Sequence, residues 1–218
     1  MKPAALTPRT LRKAEAHLTA SDPVMARLIA QVGRCGLHRS RREDPFTALV
    51  EAIVWQQLST KAAATIYRRL IALFPDGPHP TPEAILACAD ESMRAAGLSR
   101  AKAIYLRDLA TKVADGTVAL ESIDTLSDDA AIEVMTRVKG IGRWSAEMFL
   151  MFRLLRQDVM PVDDLGIVRA IQRQYRLRTV PDAKRMLRIA TPWRPYRSVA
   201  CWYLWASLDA SPAAAARP

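Results

Sequence analysis

Helix start signals constrain the fold of this chain more than any other sequence feature. Four times a capping residue stands directly before a proline: Thr7-Pro8, Asp22-Pro23, Asp44-Pro45 and Thr81-Pro82. This pairing favours a helix start, because the cap accepts an orphan N–H and proline lacks one. Apolar residues recur at three- and four-residue spacing almost throughout, whereas alternating, strand-like runs are scarce. The pattern predicts an all-α chain.

The stretch DPFTALVEAIVWQQLS, which begins at Asp44, shows the clearest apolar stripe. Ser59 can cap the next helix, which the breaker at residues 75–78 ends. The stripe of the first helix consists of Phe46, Leu49, Val50, Ile53 and Val54. Further helices are predicted over residues 82–88, 90–96, 99–115, 128–137, 143–155, 165–176, 182–190 and 198–209.

The organisation of the chain is predicted from these helices and from the breaks between them. We expect two helical lobes with a cleft between them, and the candidate breaks lie near residues 75–80 and 116–122. The expected parts are an N-terminal helical segment, 1–43, that packs on the body, the body itself, 44–210, and a flexible tail, 211–218.

Net charge points to a polyanionic partner. Lys and Arg number 32 against 22 Asp and Glu, a formal net charge of +10, which favours nucleic acid, although a merely solubilising basic surface stays open. The excess is uneven, and this favours a binding face. One group is Arg169, Arg173, Arg176, Arg178, Lys184, Arg185, Arg188, Arg194 and Arg197. A second group is Arg34, His38, Arg39, Arg41 and Arg42.

Cysteine usage and hydropathy exclude several classes of protein. Cys35, Cys88 and Cys201 are too dispersed to build an iron–sulfur cluster or a zinc site, and they are typical of free thiols in a reducing compartment. The sequence has neither a signal-peptide core nor a long uncharged apolar run. We therefore expect a cytoplasmic protein that does not bind membranes.

The segment VKGIGRWSAEMF, residues 138–149, carries a helix–hairpin–helix pattern over residues 135–147. Its glycines permit a tight turn and close approach of a partner's backbone. The turn leads to a helix N-terminus, where free N–H groups and the helix dipole attract a phosphate of duplex DNA. The positions that fit the pattern are Met135, Val138, Gly140, Ile141, Gly142 and Ala146.

A pair of carboxylates follows in MPVDDLGIVRAI, residues 160–171. Asp163 is expected to cap the next helix, whose buried stripe would hold Leu165, Val168 and Ile171. One cap suffices, so one acid of the pair Asp163 and Asp164 is a candidate for chemistry in a region otherwise rich in arginine.

These two segments together resemble the helix–hairpin–helix and Gly/Pro…Asp signature of the DNA glycosylase superfamily. ALVEAIVWQQLSTKAAATIYRRL and PWRPYRSVACWYLW resemble the AlkA-type branch, DNA-3-methyladenine glycosylase II, in a compact form without the N-terminal β domain. The resemblance implies an enzyme that flips alkylated bases, such as 3-methyladenine and 7-methylguanine, from double-stranded DNA and hydrolyses the N-glycosidic bond. It would start base excision repair as a monomer, near the nucleoid in a bacterium.

The resemblance also implies roles for the site residues. Asp164 is the expected catalytic carboxylate, which stabilises the sugar cation and orients water. Trp144 and Trp205 would line the base pocket and stack on cationic bases, while Trp55, Trp193 and Trp202 are expected in the core. Some AlkA-type members have tyrosine at two pocket positions that are Met148 and Leu165 here, which favours a more open, less aromatic pocket.

Bifunctional relatives place a lysine after the Gly-x-Gly-Arg of the hairpin to form a Schiff base. This chain has Trp144 there, so no lyase activity is expected. The DNA plug is expected at Gln57, with Leu58 adjacent, whereas Gln56 is expected to form hydrogen bonds at the helix end.

The hairpin is expected to contact phosphates through Lys139, Gly140, Gly142 and Arg143. By resemblance, the backbone carbonyls of Thr136, Val138 and Ile141 would hold a structural Na⁺ or K⁺; the chemistry itself needs no cofactor.

Two alternatives remain open at this stage. One is a non-catalytic helix–hairpin–helix module that only binds DNA. The other is a glycosylase for deaminated or oxidised bases.

Overall fold

Side-chain caps begin the helices where the sequence marks them. The computed structural model describes residues 6–39, 44–75, 77 and 79–209, with the side chains of Arg39 and Asp209 left out. The caps predicted for the first five helices of this kind each accept a hydrogen bond from a backbone N–H two or three residues further on. These caps are Thr7, Asp22, Asp44, Ser59 and Thr81. The predicted helix starts are therefore confirmed.

The described residues are built from helices, and the all-α prediction is confirmed. The α-helices are α1 (Pro8–Ser21), α2 (Pro23–Val32), α3 (Pro45–Trp55), α4 (Thr60–Ile71), α5 (Pro82–Ala87), α6 (Asp90–Ala95), α7 (Arg100–Ala114), α8 (Asp128–Thr136), α9 (Arg143–Phe152), α10 (Leu165–Gln174), α11 (Ala183–Ile189) and α12 (Arg197–Asp209). Short 3-10 helices span Leu37–Arg39, Leu120–Thr125 and Thr191–Trp193. None of the helices in these ranges is both long and apolar enough to cross a membrane.

Two helices end two or more residues earlier than predicted, for a reason visible in the backbone. α9 ends at Phe152 instead of residue 155, and α10 ends at Gln174 instead of residue 176. Leu155 and Arg176 have φ values of 53° each, in the left-handed region that a right-handed helix cannot include. Apolar spacing gives no sign of this change.

The described residues form two compact units, of which residues 44–149 are the first. Its centre is α7, which packs against α3, α5 and α6. The predicted apolar stripe of α3 is confirmed, because Phe46, Leu49, Val50, Ile53 and Val54 are all buried.

Residues 6–39 and 150–209 form the second unit. Here α12 packs against α1, α2 and α10, so the two N-terminal helices lie on the last helix of the chain. Tyr203 of α12 donates a hydrogen bond to Glu15 Oε1 at 2.9 Å, and it lies 2.8 Å from the carbonyl oxygen of Gly33. Cys35 and Cys201 are buried and Cys88 is half-buried.

The units meet in sequence within α9, after Phe149. Neither predicted break, 75–80 nor 116–122, coincides with this point. Breakers mark loops, whereas a unit is defined by which distant stretches of chain pack together. The tail 211–218 and the ends of the segment 1–43, residues 1–5 and 40–43, lie outside the described residues.

Candidate active site

The helix–hairpin–helix prediction is confirmed by the turn between α8 and α9. Its apolar positions are anchored, since Met135, Val138, Ile141 and Ala146 are all buried. The N–H of Ile141 donates to the carbonyl of Val138 at 3.1 Å and closes the turn. The polar backbone of the turn therefore stays at the surface while its apolar side chains hold it to the protein.

The two glycines of the hairpin have different physical roles. Gly140 has φ of +80°, and a Cβ there would overlap the ring of Tyr105 from α7. Gly142 has no such backbone constraint, and nothing of the protein lies within 4 Å of a Cβ built on it. The fold itself therefore requires Gly140 but not Gly142. The open space at Gly142 suits the close approach of a partner.

The outer surface of the hairpin presents hydrogen-bond donors and positive charge. Gly140 and Gly142 are exposed, and neither amide donates to a protein acceptor within the described ranges. The side chains of Lys139 and Arg143 are 66% and 57% exposed, and Arg143 Nε lies 3.0 Å from Glu147 Oε1. Backbone amides at a helix N-terminus, flanked by cations, can bind an anion.

The carbonyls expected to hold a monovalent cation belong to the same turn. Thr136 is the last residue of α8, where the helix dipole is negative and the final carbonyls lack partners within the helix. The carbonyl of Val138 already accepts the N–H of Ile141, and its second lone pair can serve another partner. Neutral oxygen donors of this kind fit Na⁺ or K⁺.

The loop between α3 and α4 places Gln57 at the surface. Gln57 has φ of 56°, in the left-handed region, which costs a non-glycine residue about 1–2 kcal/mol. Gln57 is exposed and Leu58 is 38% exposed. The neighbouring Gln56 forms a hydrogen bond at the helix end, as expected, but across to the hairpin: its Nε2 donates to the Gly140 carbonyl at 2.8 Å.

Asp164, and not Asp163, caps α10, so the prediction for Asp163 is wrong. Because the helix begins at Leu165, the cap position falls on Asp164, whose Oδ1 accepts the N–H of Ile167 at 2.8 Å. Asp163 is exposed, whereas Asp164 is only 8% exposed. One carboxylate therefore combines the role of a helix cap with the position expected for chemistry.

The indole of Trp205 holds the same carboxylate oxygen. Trp205 Nε1 donates to Asp164 Oδ1 at 2.9 Å. A Cβ on Gly166 would lie 3.0 Å from that oxygen and 3.0 Å from Trp205 Cδ1, so glycine leaves room for the contact. Trp205 also stacks at a tilt against Phe152, with ring centroids 5.8 Å apart. Gly166 was not among the predicted site residues, although a glycine two positions after an aspartate at a helix start is a recognisable pattern.

The start of α12 fixes the segment that leads to Asp164. Arg197 donates to both carboxylate oxygens of Asp158, at 2.7 and 2.9 Å. Ser198, which is fully buried, accepts the N–H of Val159 through Oγ at 2.9 Å and donates its own N–H to Gln157. No sequence pattern indicated these contacts. Arg197 therefore stabilises the fold and is not part of the exposed basic surface, although the sequence analysis placed it in that basic group.

The other candidate pocket residues differ in exposure. Trp144 in the first turn of α9 is 45% exposed, Met148 is half-buried and Leu165 is 68% exposed. The predicted stripe of α10 is confirmed at Ile171 but wrong at Leu165, and Val168 is half-buried. The buried residues of this helix are Ile167, Ala170 and Ile171. Trp193 is buried as expected, while Trp55 and Trp202 are half-buried.

The predicted basic surface is present in the second unit. Its exposed members are Arg34, Arg169, Arg173, Arg176, Arg178, Lys184, Arg188 and Arg194. Arg185 and His38 are half-buried. Arg41, Arg42 and the side chain of Arg39 lie outside the described part of the chain.

Residues 50–195 match the HhH-GPD superfamily of base excision DNA repair proteins, and the chain belongs to this family.

Individual relatives support the same assignment. The chain is 39% identical to DNA-3-methyladenine glycosylase 1 of Schizosaccharomyces pombe, over 90% of this chain and 87% of the relative. A solved structure of a 3-methyladenine DNA glycosylase from the same yeast, in complex with abasic DNA, superimposes with a TM-score of 0.78 and 37% identity, covering 94% of this chain and 100% of that one. The solved structure of the DNA-3-methyladenine glycosidase of Bacillus halodurans superimposes with a TM-score of 0.79 and 35% identity, covering 95% of this chain and 92% of that one.

Proposed function

We propose that this chain is a monofunctional DNA glycosylase that flips alkylated bases from double-stranded DNA and hydrolyses their N-glycosidic bond, starting base excision repair. The observation that carries the proposal is the Asp164 carboxylate, held at a helix start by two donors in a chain of the HhH-GPD family. Departure of the base leaves positive charge on the sugar. A carboxylate whose orientation is already fixed stabilises that charge without reorganisation and can orient the attacking water.

The base pocket is proposed to include Trp144, Trp205, Met148 and Leu165. Methylation at N3 of adenine or N7 of guanine makes the base cationic, and a cation over an indole gains about 0.5–2 kcal/mol. The same positive charge weakens the glycosidic bond, so selectivity does not require a tight pocket. The exposure of Leu165 and Trp144 suits contact with a flipped base.

DNA contacts are proposed at two places in the first unit. The Gly140 and Gly142 amides, with Lys139 and Arg143, bind phosphate, and the exposed Gln57, with Leu58 adjacent, fills the gap left in the stack. The carbonyls of Thr136, Val138 and Ile141 would hold a Na⁺ or K⁺ ion, whose charge would attract the same phosphate.

Trp144 also sets the outcome of the reaction. An indole cannot form a Schiff base with the sugar, so the product is an intact abasic site without strand cleavage.

The test is a panel of duplex oligonucleotides that each carry one modified base, followed by alkaline cleavage. We expect cleavage at 3-methyladenine and 7-methylguanine, and no protein–DNA adduct after borohydride. Release of only hypoxanthine or 8-oxoguanine would indicate the deaminated- or oxidised-base activity instead. Binding without any release would indicate a non-catalytic module.

A further inference from the structure

One face of α7 contacts the backbone of both proposed DNA-contacting segments. Lys102, Tyr105, Asp108 and Lys112 follow one another at spacings of three or four residues, so they share a face of the helix. We call the stretch 56–58 the plug loop; the residues of the hairpin that α7 contacts lie within 137–142. All four side chains reach the backbone of one of these segments or of the residues directly before it.

Three of the four hold the hairpin. Asp108 Oδ2 accepts the N–H of Lys139 at 2.8 Å and a hydrogen bond from Lys112 Nζ at 2.7 Å. Lys112 Nζ in turn donates to the carbonyl of Arg137 at 2.6 Å. The ring of Tyr105 occupies the space that a side chain at Gly140 would need.

Lys102 holds the plug loop. Its Nζ donates to the carbonyls of Val54 and Gln56, at 2.6 and 2.8 Å. These carbonyls lie at the end of α3, where the helix dipole favours a cation. Burial lowers the pKa of Lys102 below its ordinary value. A partly buried ammonium that binds two backbone carbonyls therefore lies directly before Gln57, the residue with a left-handed backbone.

The two segments are also joined to each other. The side chain of Gln56 donates to the carbonyl of Gly140, and the backbone carbonyl of Gln56 accepts a hydrogen bond from Lys102. The plug loop is thereby tied to α7 on one side and to the hairpin on the other.

We propose that Lys102 is a positioning residue for base flipping: it fixes the backbone before Gln57, so that the plug stands at a set distance from the phosphate-binding hairpin. This inference rests on the proposed function and adds a residue to it. Extrusion of a stacked base requires a plug that does not yield while the phosphate is held. Small displacements of positioning groups lower rates strongly. Lys102 touches neither the base nor the sugar, and it acts only through the plug loop.

The proposal predicts a dependence on base pairing that a merely structural role would not give. The probes are two duplexes with 7-methylguanine, one opposite cytosine and one opposite a tetrahydrofuran abasic analogue, where little pairing must be broken. For Lys102→Met we expect a single-turnover excision rate at least tenfold lower on the paired lesion and less than threefold lower on the unpaired lesion. Lys102→Arg, which keeps charge and donors, should recover most of the loss.

The matched control is Arg100→Met, which removes a positive charge from an exposed position of the same helix. It should behave like the wild type on both duplexes, and thermal unfolding followed by circular dichroism reports the fold of each variant. If Lys102→Met does not fold, Gln56→Leu is measured on the same two duplexes, because it removes the hydrogen bond between the plug loop and the Gly140 carbonyl.

The outcomes separate the inference from the proposed function. An active wild type together with an unchanged variant, or with equal losses on both duplexes, overturns the inference alone. A wild type that releases no alkylated base from these duplexes or from the panel of modified bases overturns the proposed function and the inference with it. If it releases another alkylated base of the panel, that base replaces 7-methylguanine in both duplexes.

Discussion

Helices α7 and α12 support functional segments in their own units by different chemistry. α7 uses charged side chains on backbone groups, as Lys102 and Asp108 do on the plug loop and the hairpin. α12 uses Ser198 and Arg197 on the approach segment, and Trp205 directly on the Asp164 carboxylate. α7 therefore acts on parts proposed to hold DNA, whereas α12 acts on the group proposed to stabilise the reacting sugar. Damage to the first should impair flipping and binding, and damage to the second should impair the chemical step.

The largest expected effect is on the carboxylate that α12 supports. Asp164→Asn should lower the excision rate by roughly 10³-fold, because the transition state loses its preorganised negative charge. Binding to abasic DNA and the free energy of unfolding should change little, since asparagine is an equally good helix cap. Single-turnover assays and fluorescence anisotropy measure the two effects. Asp163→Asn, at the exposed neighbouring position, is the control and should stay near wild type; a strong loss there would move the chemistry to Asp163.

The second prediction compares the two glycines of the hairpin, Gly140 and Gly142. Gly140→Ala should lower the free energy of unfolding by about 2–4 kcal/mol, since it combines a left-handed backbone with overlap on Tyr105. Gly142→Ala should lower it by less than about 1 kcal/mol and yet weaken DNA binding about tenfold, because the added Cβ would occupy the open space through which a phosphate reaches the backbone amide. Urea unfolding and anisotropy measure the pair. Equal stability losses would show that Gly142 serves the fold after all.

The third effect sharpens the difference between the helices. Trp205→Phe keeps an aromatic ring but removes the donor to Asp164, and loss of a hydrogen bond to a charged group should lower kcat about tenfold. The loss should be similar for paired and unpaired lesions, unlike that of Lys102→Met. Trp202→Phe, at a half-buried indole of the same helix, is the matched control. A loss confined to paired lesions would assign Trp205 to flipping instead.

The smallest expected effect is a pH dependence of the free energy of unfolding, caused by Asp108 of α7. Burial raises the pKa of Asp108, but hydrogen bonds from Lys112 and from the Lys139 N–H, with both lysine charges, outweigh it and hold the pKa below its ordinary value. A lowered pKa contributes stability above the unfolded-state value, and this contribution is lost as pH falls through the folded-state value. Wild type should therefore lose more stability than Asp108→Asn between about pH 5 and pH 3, measured by urea unfolding. Parallel losses would mean that the Asp108 contacts contribute nothing.

Local signals explain which elements could be predicted from the sequence. Cap-proline pairs and apolar spacing located nearly every helix, because capping and amphipathicity are properties of a few neighbouring residues. Errors arose where the backbone turned left-handed, at Leu155 and Arg176, and in the choice of cap for α10, which is Asp164. These depend on how the chain packs beyond the local stretch.

The sequence by itself determined the helical class, the glycine hairpin and the pair Asp163 and Asp164 as candidate carboxylates, because each of these depends on residues that are close together in the chain. Only the tertiary structure decided what holds them. Lys102 lies 46 residues from Gln56, and Trp205 lies 41 residues from Asp164. Such pairs leave no local periodicity or cap signal; they meet only because packed helices bring distant stretches together and buried polar groups must find partners there.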